Sequence, residues 1–284
     1  MKVSNMKVVA NAKINLSLHV KSRREDGYHI LESIMVPVEF GDELEISFCT
    51  CDTYMTCDVE GIPVDESNLV MKAYRFMQRR YQIQEQYHFH LHKVIPHQAG
   101  LGGGSSDAGA VIRYLWKEYG TDPLEEVALA SVEIGADVPF CVMNQAMKVE
   151  GIGETLTPFS PKALQDYHVF LVKPQEGVST KEAYETLDLS LCDHPDINGI
   201  MNAIQQGRDD FVLGNSLEQS ALRLVPKIQE IKNTLVELGF DHCLMSGSGS
   251  CVFGLCKSMD VIDRAMLYFR NSKEFVQKTK IISE

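Results

Sequence analysis

Gly100-Leu-Gly-Gly-Gly-Ser-Ser-Asp-Ala108 is a glycine-rich segment that leads into a helical pattern. Counted from Ala108, apolar side chains recur three and seven residues later, at Val111 and Leu115, which is the spacing of one helix face. Bare glycine backbone lets N–H groups approach an anion closely, and a helix N-terminus adds unpaired donors and a positive dipole end. The segment therefore predicts a phosphate-binding loop, and a flexible turn before the helix is the simpler alternative.

The glycine segment does not match the common nucleotide-binding motifs. The chain contains no Gly-Lys dipeptide, so it has no P-loop. If Gly-x-Gly-x-x-Gly is read from Gly100, Ser105 takes the place of the last glycine, so the dinucleotide fingerprint fails. The His-Arg-Asp and Asp-Phe-Gly tripeptides of protein kinases are also absent from the sequence. The segment is therefore a phosphate loop of another kind.

Length and composition are those of an ordinary globular protein. The chain has 284 residues, enough for two domains or one large domain. Apolar residues make up 44% of the chain and charged residues 23%. With 39 acidic and 27 basic residues the net charge is −12, which disfavours nucleic acid as a partner, because phosphate neutralisation needs a basic face. Phosphate binding must then use local donors: the glycine segment, a few lysines and a divalent cation.

Neither export nor membrane insertion is expected. The first residues lead into an alternating pattern rather than a signal peptide, and no run of about 18 apolar residues occurs. The eight cysteines are scattered, and Cys49 and Cys51 lack a matching second pair, so reduced thiols are favoured over disulfides or zinc. His88, His90 and His92 alternate along a strand, which fits a solvated sheet face better than a metal site. We therefore predict a cytoplasmic protein with no metal held by its own side chains.

Strands and helices alternate along the chain, which predicts an α+β fold. Every even position from Val8 to Val20 is apolar, which is typical of a strand with one buried face. A proline-containing stretch near residues 158–165 separates two halves, so we expect domains at 1–160 and 161–284. Further strands are predicted near 30–38, 43–49, 87–95, 146–157, 167–173 and 251–256, and further helices near 65–81, 123–134, 198–205, 208–213, 216–238 and 259–271.

Two more places present polar side chains that are candidates for chemistry. Lys13 and Asn15 lie on the polar face of the first strand, and this face is either solvated or lines a cleft. Asp137 stands two residues before Pro139, which is the pattern of a helix N-cap. The simplest interpretation of Asp137 is a cap without any other role.

Three segments together resemble the GHMP kinases, the family named after galactokinase, homoserine kinase, mevalonate kinase and phosphomevalonate kinase. They are Ala12-Lys-Ile-Asn-Leu16, the glycine segment 100–108 and Met245-Ser-Gly-Ser-Gly249, and they span almost the whole chain. Asp26-Gly-Tyr-His29 and Gly135-Ala-Asp-Val-Pro-Phe140 are more specific. These two resemble the members of the family whose acceptor carries a cytidine diphosphate group and serves isoprenoid precursor synthesis.

The resemblance implies a fold and a reaction. An N-terminal domain of the ribosomal S5 domain-2 type would be followed by a C-terminal ferredoxin-like domain, with the active site in the cleft between them. The expected activity is ATP-dependent phosphorylation of a hydroxyl on a small molecule, with ATP and Mg²⁺ as cofactors and Lys13 and Asp137 as the catalytic pair. Asp107 is favoured as a loop brace over a second base. No nucleic acid or membrane partner is expected.

The resemblance also assigns binding residues. Tyr28 and Tyr184 would cover the two faces of the cytosine ring, while His29 reads its polar edge. The residues expected at the substrate are Asn15, Tyr28, His29, Thr180 and Tyr184. The residues expected at the nucleotide are Asn68 (at adenine), Lys93, Pro96, Gly100, Leu101, Gly102, Gly103, Gly104, Ser105, Ser106 and Asp107.

Two other hypotheses stay open on the sequence alone. A sibling GHMP enzyme acting on another alcohol would lack the cytidine pocket, and a non-catalytic nucleotide-binding relative would lack Lys13 or Asp137. The chain also departs from the family pattern in two places. Asn144-Gln145 stands where many relatives have a glycine-rich turn, and Gly109 stands where alanine is usual. Both departures are peripheral to the expected chemistry.

Overall fold

The alternating apolar segment forms one long strand, β1 (Met6–Arg23), in a computed structural model that describes residues 5–283. Its even-numbered side chains are buried from residue 10 to residue 20, as predicted. The opposite face is buried as well, because Lys13 and Asn15 are each 3% exposed and Ser17 is 0% exposed. The alternative of a solvated polar face is therefore wrong, and these polar groups need partners inside the protein.

The strands predicted near 30–38 and 43–49 are one continuous strand, β2 (His29–Cys49), which pairs with β1. Distant residues keep the middle of this strand extended. Val38 forms an isolated bridge with Ile281, and the N–H of Phe40 donates to the hydroxyl of Thr279 at 3.0 Å. The sequence pattern did not predict one continuous strand, because these partners come from the far end of the chain.

The chain divides into two compact units, and β1 and β2 each run through both of them. The domain division expected at residue 160 remains a prediction. Within the described residues, the first unit comprises 5–13, 41–95 and 102–144, and the second unit comprises 14–40, 96–101 and 145–283.

The first unit packs helices on a sheet with strand order β3-β4-β2. Alternate residues of its central strand, Tyr87, Phe89 and Leu91, are buried against apolar helix faces and form the core. The new strands are β3 (Tyr54–Cys57) and β4 (Gln86–His92), and the helices are α1 (Leu69–Tyr81), α2 (Gly103–Tyr119), α3 (Leu124–Ala130) and α4 (Val138–Met143).

The second unit adds two strands to the early half of β2 and also holds a separate antiparallel sheet. That sheet has the order β10-β7-β9-β8; α8 (Lys227–Leu238) is the last of the four helices between β7 and β8, and α9 (Met259–Phe269) connects β9 to β10. This is the ferredoxin-like topology, so the α+β fold class is confirmed. The elements are β5 (Met147–Gly151), β6 (Thr155–Pro158), β7 (His168–Lys173), α5 (Thr180–Glu185), α6 (Ile197–Gln205), α7 (Glu218–Leu224), α8 (Lys227–Leu238), β8 (His242–Met245), β9 (Val252–Cys256), α9 (Met259–Phe269) and β10 (Phe275–Lys280).

Several helix boundaries differ from the sequence prediction for local reasons. The helix expected at 65–81 begins at Leu69, because the Asn68 side chain caps it by accepting from the N–H of Val70 at 2.9 Å. Pro226 divides the helix expected at 216–238 into α7 and α8. The helix expected at 123–134 ends at Ala130 and continues as a short 3-10 turn. The helix expected at 208–213 is wrong, since that segment is irregular.

Within residues 5–283, none of the helices combines the length and apolar character needed to cross a bilayer.

The irregular segment before α7 is held by one buried side chain. Asn215 is 1% exposed, and its Oδ1 accepts from the N–H of Leu217 at 2.9 Å. Its Nδ2 donates to the carbonyl oxygens of Met245 and Gly247 at 2.9 Å and 2.8 Å. A single amide thus ties the start of α7 to the chain that follows β8.

Replacing Asn215→Asp should destabilise the protein, because the variant places an oxygen against two carbonyl groups that now receive hydrogen bonds. An unsatisfied buried acceptor costs about 1–3 kcal/mol, so we expect the free energy of unfolding to fall by about 2 kcal/mol or more. Urea unfolding followed by circular dichroism measures the change. Asn202→Asp, at an exposed position of α6, is the matched control and should change stability by less than about 0.5 kcal/mol. Equal losses in the two variants would contradict this role.

Candidate active site

The glycine segment is the beginning of a helix rather than a free loop. α2 starts at Gly103, and Gly102 is its N-cap residue with a φ of 70°, in the left-handed region that favours glycine. The first N–H groups of a helix have no acceptor inside it, and Gly102 has no side chain that could cap them. The positive end of the helix dipole lies at the same place. The start of α2 therefore has the donors that an anion needs.

Two lysine side chains pass directly beneath these glycines. A Cβ atom at Gly102 would lie 3.0 Å from Cγ and Cε of Lys13, and a Cβ atom at Gly103 would lie 2.9 Å from Nζ of Lys93. Bare backbone is what lets both lysines reach the start of α2. In a chain with a net charge of −12, they supply local positive charge where phosphate is expected.

Lys13 pairs with Asp137, the other residue of the expected catalytic pair. Its Nζ lies 3.4 Å from Oδ2 of Asp137, and the Lys13 side chain is 4% exposed whereas that of Asp137 is 42% exposed. The ammonium thus approaches from the interior, and the carboxylate stays accessible. Asp137 holds the N-cap position of α4, but its side chain caps no N–H among the described residues. Capping therefore does not account for this carboxylate.

α4, which carries Asp137 at its start, is held against α2 by residues that sequence reasoning did not assign. Arg113 donates to the carbonyl oxygen of Cys141, and a Cβ atom at Gly109 would lie 2.6 Å from the carbonyl carbon of Cys141. The departure from the family pattern at Gly109 thus has a packing reason, and an isolated glycine within a helical pattern was the available signal. At the other departure, Asn144 ends α4 with a φ of 49° and donates to the side chain of Asn11 at 3.1 Å.

Lys93 is held by two buried carboxylates. Its ammonium binds Asp42 and lies 2.9 Å from Asp107, and these two acids are 0% and 2% exposed. Burial raises the pKa of Asp107 to about 7, against the opposing effect of the Lys93 charge. Burial lowers the pKa of Lys93, but the two carboxylates more than offset this and leave it raised. Lys93 thus joins Asp107, at the start of α2, to Asp42, and the roles expected of Asp107 remain predictions.

The two serines of the glycine segment differ in accessibility. Gly104 is exposed and Ser105 is half-buried, whereas Ser106 is buried with its hydroxyl 3.6 Å from the thiol of Cys141. Of the two hydroxyls, that of Ser105 is therefore the more accessible.

Asn68, expected at adenine, has a local structural role. Besides capping α1, it donates from Nδ2 to the carbonyl oxygen of Pro63 at 2.6 Å. Its side chain thus orders the segment that enters α1. The adenine contact remains a prediction.

The residues just before the start of α2 belong to the second unit, where they contact the third family segment. The hydroxyl of Ser246 donates to the carbonyl oxygen of Gly100 at 2.9 Å and accepts from the N–H of Asn15 at 3.1 Å. Leu101 is buried and Pro96 is half-buried in the same stretch. Sequence reasoning assigned no role to Ser246, although the glycine–serine repeat around it was the signal.

Asn15, expected at the substrate, is engaged inside the second unit. Its Nδ2 donates to the hydroxyl of Ser33 at 2.8 Å, and that hydroxyl donates to the carbonyl oxygen of Ser17 at 2.7 Å. This chain of hydrogen bonds satisfies polar groups on the buried face of β1. The substrate contact of Asn15 remains a prediction.

Four more of the residues expected at the substrate lie in the second unit, and two of them, His29 and Tyr184, form an aromatic pair. The rings of His29 and Tyr184 stack with centroids 4.8 Å apart at 29°. Burial, together with the charge of Arg23, lowers the pKa of His29, which favours the neutral imidazole. Tyr28 is 61% exposed beside His29 in sequence, and Thr180 places its hydroxyl 2.9 Å from that of Ser248.

One group outside the expected site has the composition of a metal site. The ligand atoms of Glu43, Glu45 and His92 lie within 4.8 Å of one another. The ammonium of Lys7 lies 2.7 Å from Glu43 and 2.9 Å from Glu45, and hydrogen bonds to these carboxylates raise the pKa of Lys7 to about 12. A lysine thus already takes the place that a cation would have.

Family models match both halves of the chain. The model for the GHMP kinases N terminal domain matches residues 68–145, which include the glycine-rich start of α2 and Asp137. The model for the GHMP kinases C terminal domain matches residues 189–273, which include both α8 and α9.

Curated relatives extend this similarity over almost the whole length. A 4-diphosphocytidyl-2-C-methyl-D-erythritol kinase from Clostridium novyi (strain NT) is 37% identical and covers 96% of this chain and 99% of the relative. A protein of the same name from Bacillus velezensis is 38% identical and covers 97% of this chain and 96% of the relative. The chain belongs to the GHMP kinase family, as the sequence resemblance predicted.

Solved structures agree with this assignment. The crystal structure of a 4-(cytidine 5'-diphospho)-2C-methyl-D-erythritol kinase has a TM-score of 0.79 at 30% identity and covers 97% of this chain and 99% of its own. A homoserine kinase from Cytophaga hutchinsonii has a TM-score of 0.68 at 17% identity and covers 98% of this chain and 97% of its own, which shows the common fold alone.

Asp107 should make stability depend on pH. Its pKa is raised on folding, so between about pH 4 and about pH 7 the folded state keeps a proton that the unfolded state has released. Its contribution to the free energy of unfolding therefore falls as the pH rises through that range. Asp107→Asn removes this titration and leaves Lys93 and Asp42, the charged groups facing it, in place. The free energy of unfolding of the variant, minus that of the native chain, should therefore be larger at about pH 7.5 than at about pH 5.

Urea unfolding at the two pH values measures this difference. Asp65→Asn is the control, because hydrogen bonds from Ser67 lower the pKa of this exposed aspartate and keep it ionised across the range. The gap between that variant and the native chain should stay constant. A constant or falling relative stability for Asp107→Asn would show that Asp107 is not protonated on folding.

Proposed function

We propose that this chain transfers the γ-phosphoryl group of ATP to a hydroxyl of 4-diphosphocytidyl-2-C-methyl-D-erythritol, in isoprenoid precursor synthesis. The kinase reaction is supported above all by the Lys13–Asp137 pair, 3.4 Å apart, with Lys13 lying beneath Gly102. The acceptor is supported by relatives of that name that match 96% and 97% of the chain. The protein is then a cytoplasmic small-molecule kinase without a nucleic acid or membrane partner.

Asp137 accepts the proton of the attacking hydroxyl. Phosphoryl transfer passes through a loose transition state, in which the nucleophile forms its bond to phosphorus late. A carboxylate is a much weaker base than an alkoxide, so Asp137 first orients the hydroxyl by accepting its hydrogen bond and takes the proton as the bond forms. Its accessible carboxylate at the start of α4 suits this role.

Lys13 acts on the charge that moves during transfer. Its ammonium lies beside the Asp137 carboxylate, and its methylene stem crosses under Gly102. A fixed cation in this place attracts the negative charge on the transferred group and needs no rearrangement at the moment of reaction. A non-catalytic relative would have no use for this pair.

The backbone at the start of α2 suits the phosphates of ATP. A Cβ atom at Gly102 or Gly103 would lie 3.0 Å or less from a lysine side chain, and the N–H groups there are unpaired within the helix. Ser105 adds an accessible hydroxyl for a phosphate oxygen or for Mg²⁺. Mg²⁺ bound with ATP supplies neutralisation of phosphate charge.

The second unit supplies groups for the cytidine end of the acceptor. Aromatic rings at Tyr28 and Tyr184 offer faces for the cytosine ring, and one of them, Tyr184, is already stacked on His29. A neutral His29 both donates and accepts, which matches the mixed polar edge of cytosine.

The variant Asp137→Asn tests the base. We expect kcat to fall by about 10²–10⁴-fold, because general-base contributions have that size, while KM for ATP stays nearly native. A coupled assay with ATP, Mg²⁺ and the cytidine diphosphate acceptor measures both constants. Asp209→Asn removes a carboxylate from an exposed ion pair with Lys257 and should keep native kcat. Near-native turnover of the Asp137 variant would leave this residue without a catalytic role.

The variant Tyr184→Ala tests the acceptor. Stacking on an aromatic ring contributes about 1–3 kcal/mol, so KM for the cytidine diphosphate acceptor should rise about ten-fold or more. KM for ATP should not change. Tyr28→Ala should act in the same direction, and the two effects should be non-additive because both rings cover one base. Tyr268→Ala, at an exposed tyrosine of α9, is the control. An equal rise in KM for ATP, or no rise at all, would mean that the acceptor is a different alcohol.

A further inference from the structure

Three charged side chains that take no direct part in the proposed reaction meet beneath the start of α2. The ammonium of Lys93 donates to Asp42 and, at 2.9 Å, to Asp107, and the three side chains are 10%, 0% and 3% exposed. We call this group the Asp42 triad. Removing charges from water costs several kcal/mol per ion unless their geometry and hydrogen bonds repay it. Its position therefore needs a physical explanation.

Asp42 also fixes the chain that leads toward the glycine segment. Its Oδ1 accepts from the N–H groups of Val94 and Ile95 at 2.6 Å and 2.8 Å, directly after β4 ends. Its other oxygen faces Lys93. One buried carboxylate thus holds both a side chain and the backbone of the same short stretch.

This stretch supports the first turn of α2 at two points. A Cβ atom at Gly103 would lie 2.9 Å from Nζ of Lys93 and 3.1 Å from Cγ2 of Ile95, so the first residue of the helix rests on the stretch directly. Asp107, one turn further along α2, is bound by the same ammonium. Asp42 therefore holds Lys93 and Ile95, the two residues that support the first turn of α2.

The Asp42 triad contains one more acid than base, since two carboxyl groups face one ammonium, and the raised pKa of Asp107 lets it hold a proton up to about pH 7. Oδ1 of Asp107 is buried and has no hydrogen-bond partner in the described part of the chain. An unsatisfied buried oxygen lowers stability, so a network selected for stability alone would not keep it. The excess acid points to a positional role for these side chains.

We propose that Asp42 is a positioning residue for the nucleotide, acting through Lys93 to hold the start of α2 where its N–H groups meet phosphate. This inference rests on the proposed function only in taking ATP as the ligand. Asp42 itself touches neither the nucleotide nor the acceptor in this role. Its loss should therefore weaken nucleotide binding selectively.

The variant Asp42→Asn separates the two contacts of this carboxylate. The amide oxygen still accepts from Val94 and Ile95, whereas the amide nitrogen now faces the ammonium of Lys93. We expect the Kd for ATP with Mg²⁺, measured by calorimetry without acceptor, to rise at least about ten-fold. KM for the acceptor should stay within about two-fold of native. Asp122→Asn, which disrupts the ion pair with Arg80 in the same unit, should keep the native Kd even if it lowers Tm as much.

A double-mutant cycle of Asp42→Asn and Asp107→Asn tests whether the two acids act through the same group. Independent structural roles would give additive changes in the Kd for ATP. Asp107→Asn should also raise the Kd for ATP. The Kd of the double variant should be no higher than that of the more affected single variant, because both side chains act through Lys93. If Asp42→Asn does not fold, Asp107→Asn decides the question alone. A native Kd for ATP in the folded variant, or additive losses in the cycle, would overturn the proposal.

Failure of the positioning role of Asp42 and failure of the proposed kinase reaction give different results. A native chain that binds ATP but does not phosphorylate the cytidine diphosphate acceptor would show that the acceptor is wrong. The calorimetric comparison of Asp42→Asn with Asp122→Asn would still decide the role of Asp42. A native chain that does not bind ATP would overturn the positioning role together with the kinase reaction.

Discussion

The site depends on the close approach of two lysine side chains to the backbone at the start of α2. Lys13 passes under Gly102 and Lys93 lies under Gly103, so close that a Cβ atom on either glycine would lie 3.0 Å or less from a lysine side chain. This contact places two ammonium groups near the unpaired N–H groups at the start of α2. In the proposed function, the bare backbone of the glycines lets the lysines approach it from one side and an anion from the other.

The two lysines differ in the exposure of their partners, and this difference supports the separate roles proposed for them. Lys13 faces Asp137, whose side chain is 42% exposed and thus accessible to a ligand. Lys93 faces Asp42 and Asp107, which are closed off from solvent. A ligand can reach the Asp137 carboxylate directly, whereas burial keeps the acids bound to Lys93 out of direct contact with solvent.

Sequence reasoning found the residues that belong to local patterns and missed those that act over long distances. Lys13 and Asp137 were recognisable because each lies in a characteristic short segment. Asp42 is a single acid within a strand, and its partner Lys93 follows 51 residues later. Ser246 contacts Gly100 across 146 residues, and the glycine–serine segment around Ser246 does not identify Gly100 as its partner. Long-range hydrogen bonds leave no periodic signal, so no pattern could have predicted them.

The α+β class and the family follow from the sequence alone, because periodicity and short motifs are local properties of a chain, and the family resemblance also named Lys13 and Asp137 as a pair. The tertiary structure was needed to show that both faces of β1 are buried and that residues 29–49 form one strand. It was also needed to show that the charge of Lys93 is taken up by two carboxylates. Burial and ion pairing depend on groups brought together from distant positions, and only the folded chain determines which groups those are.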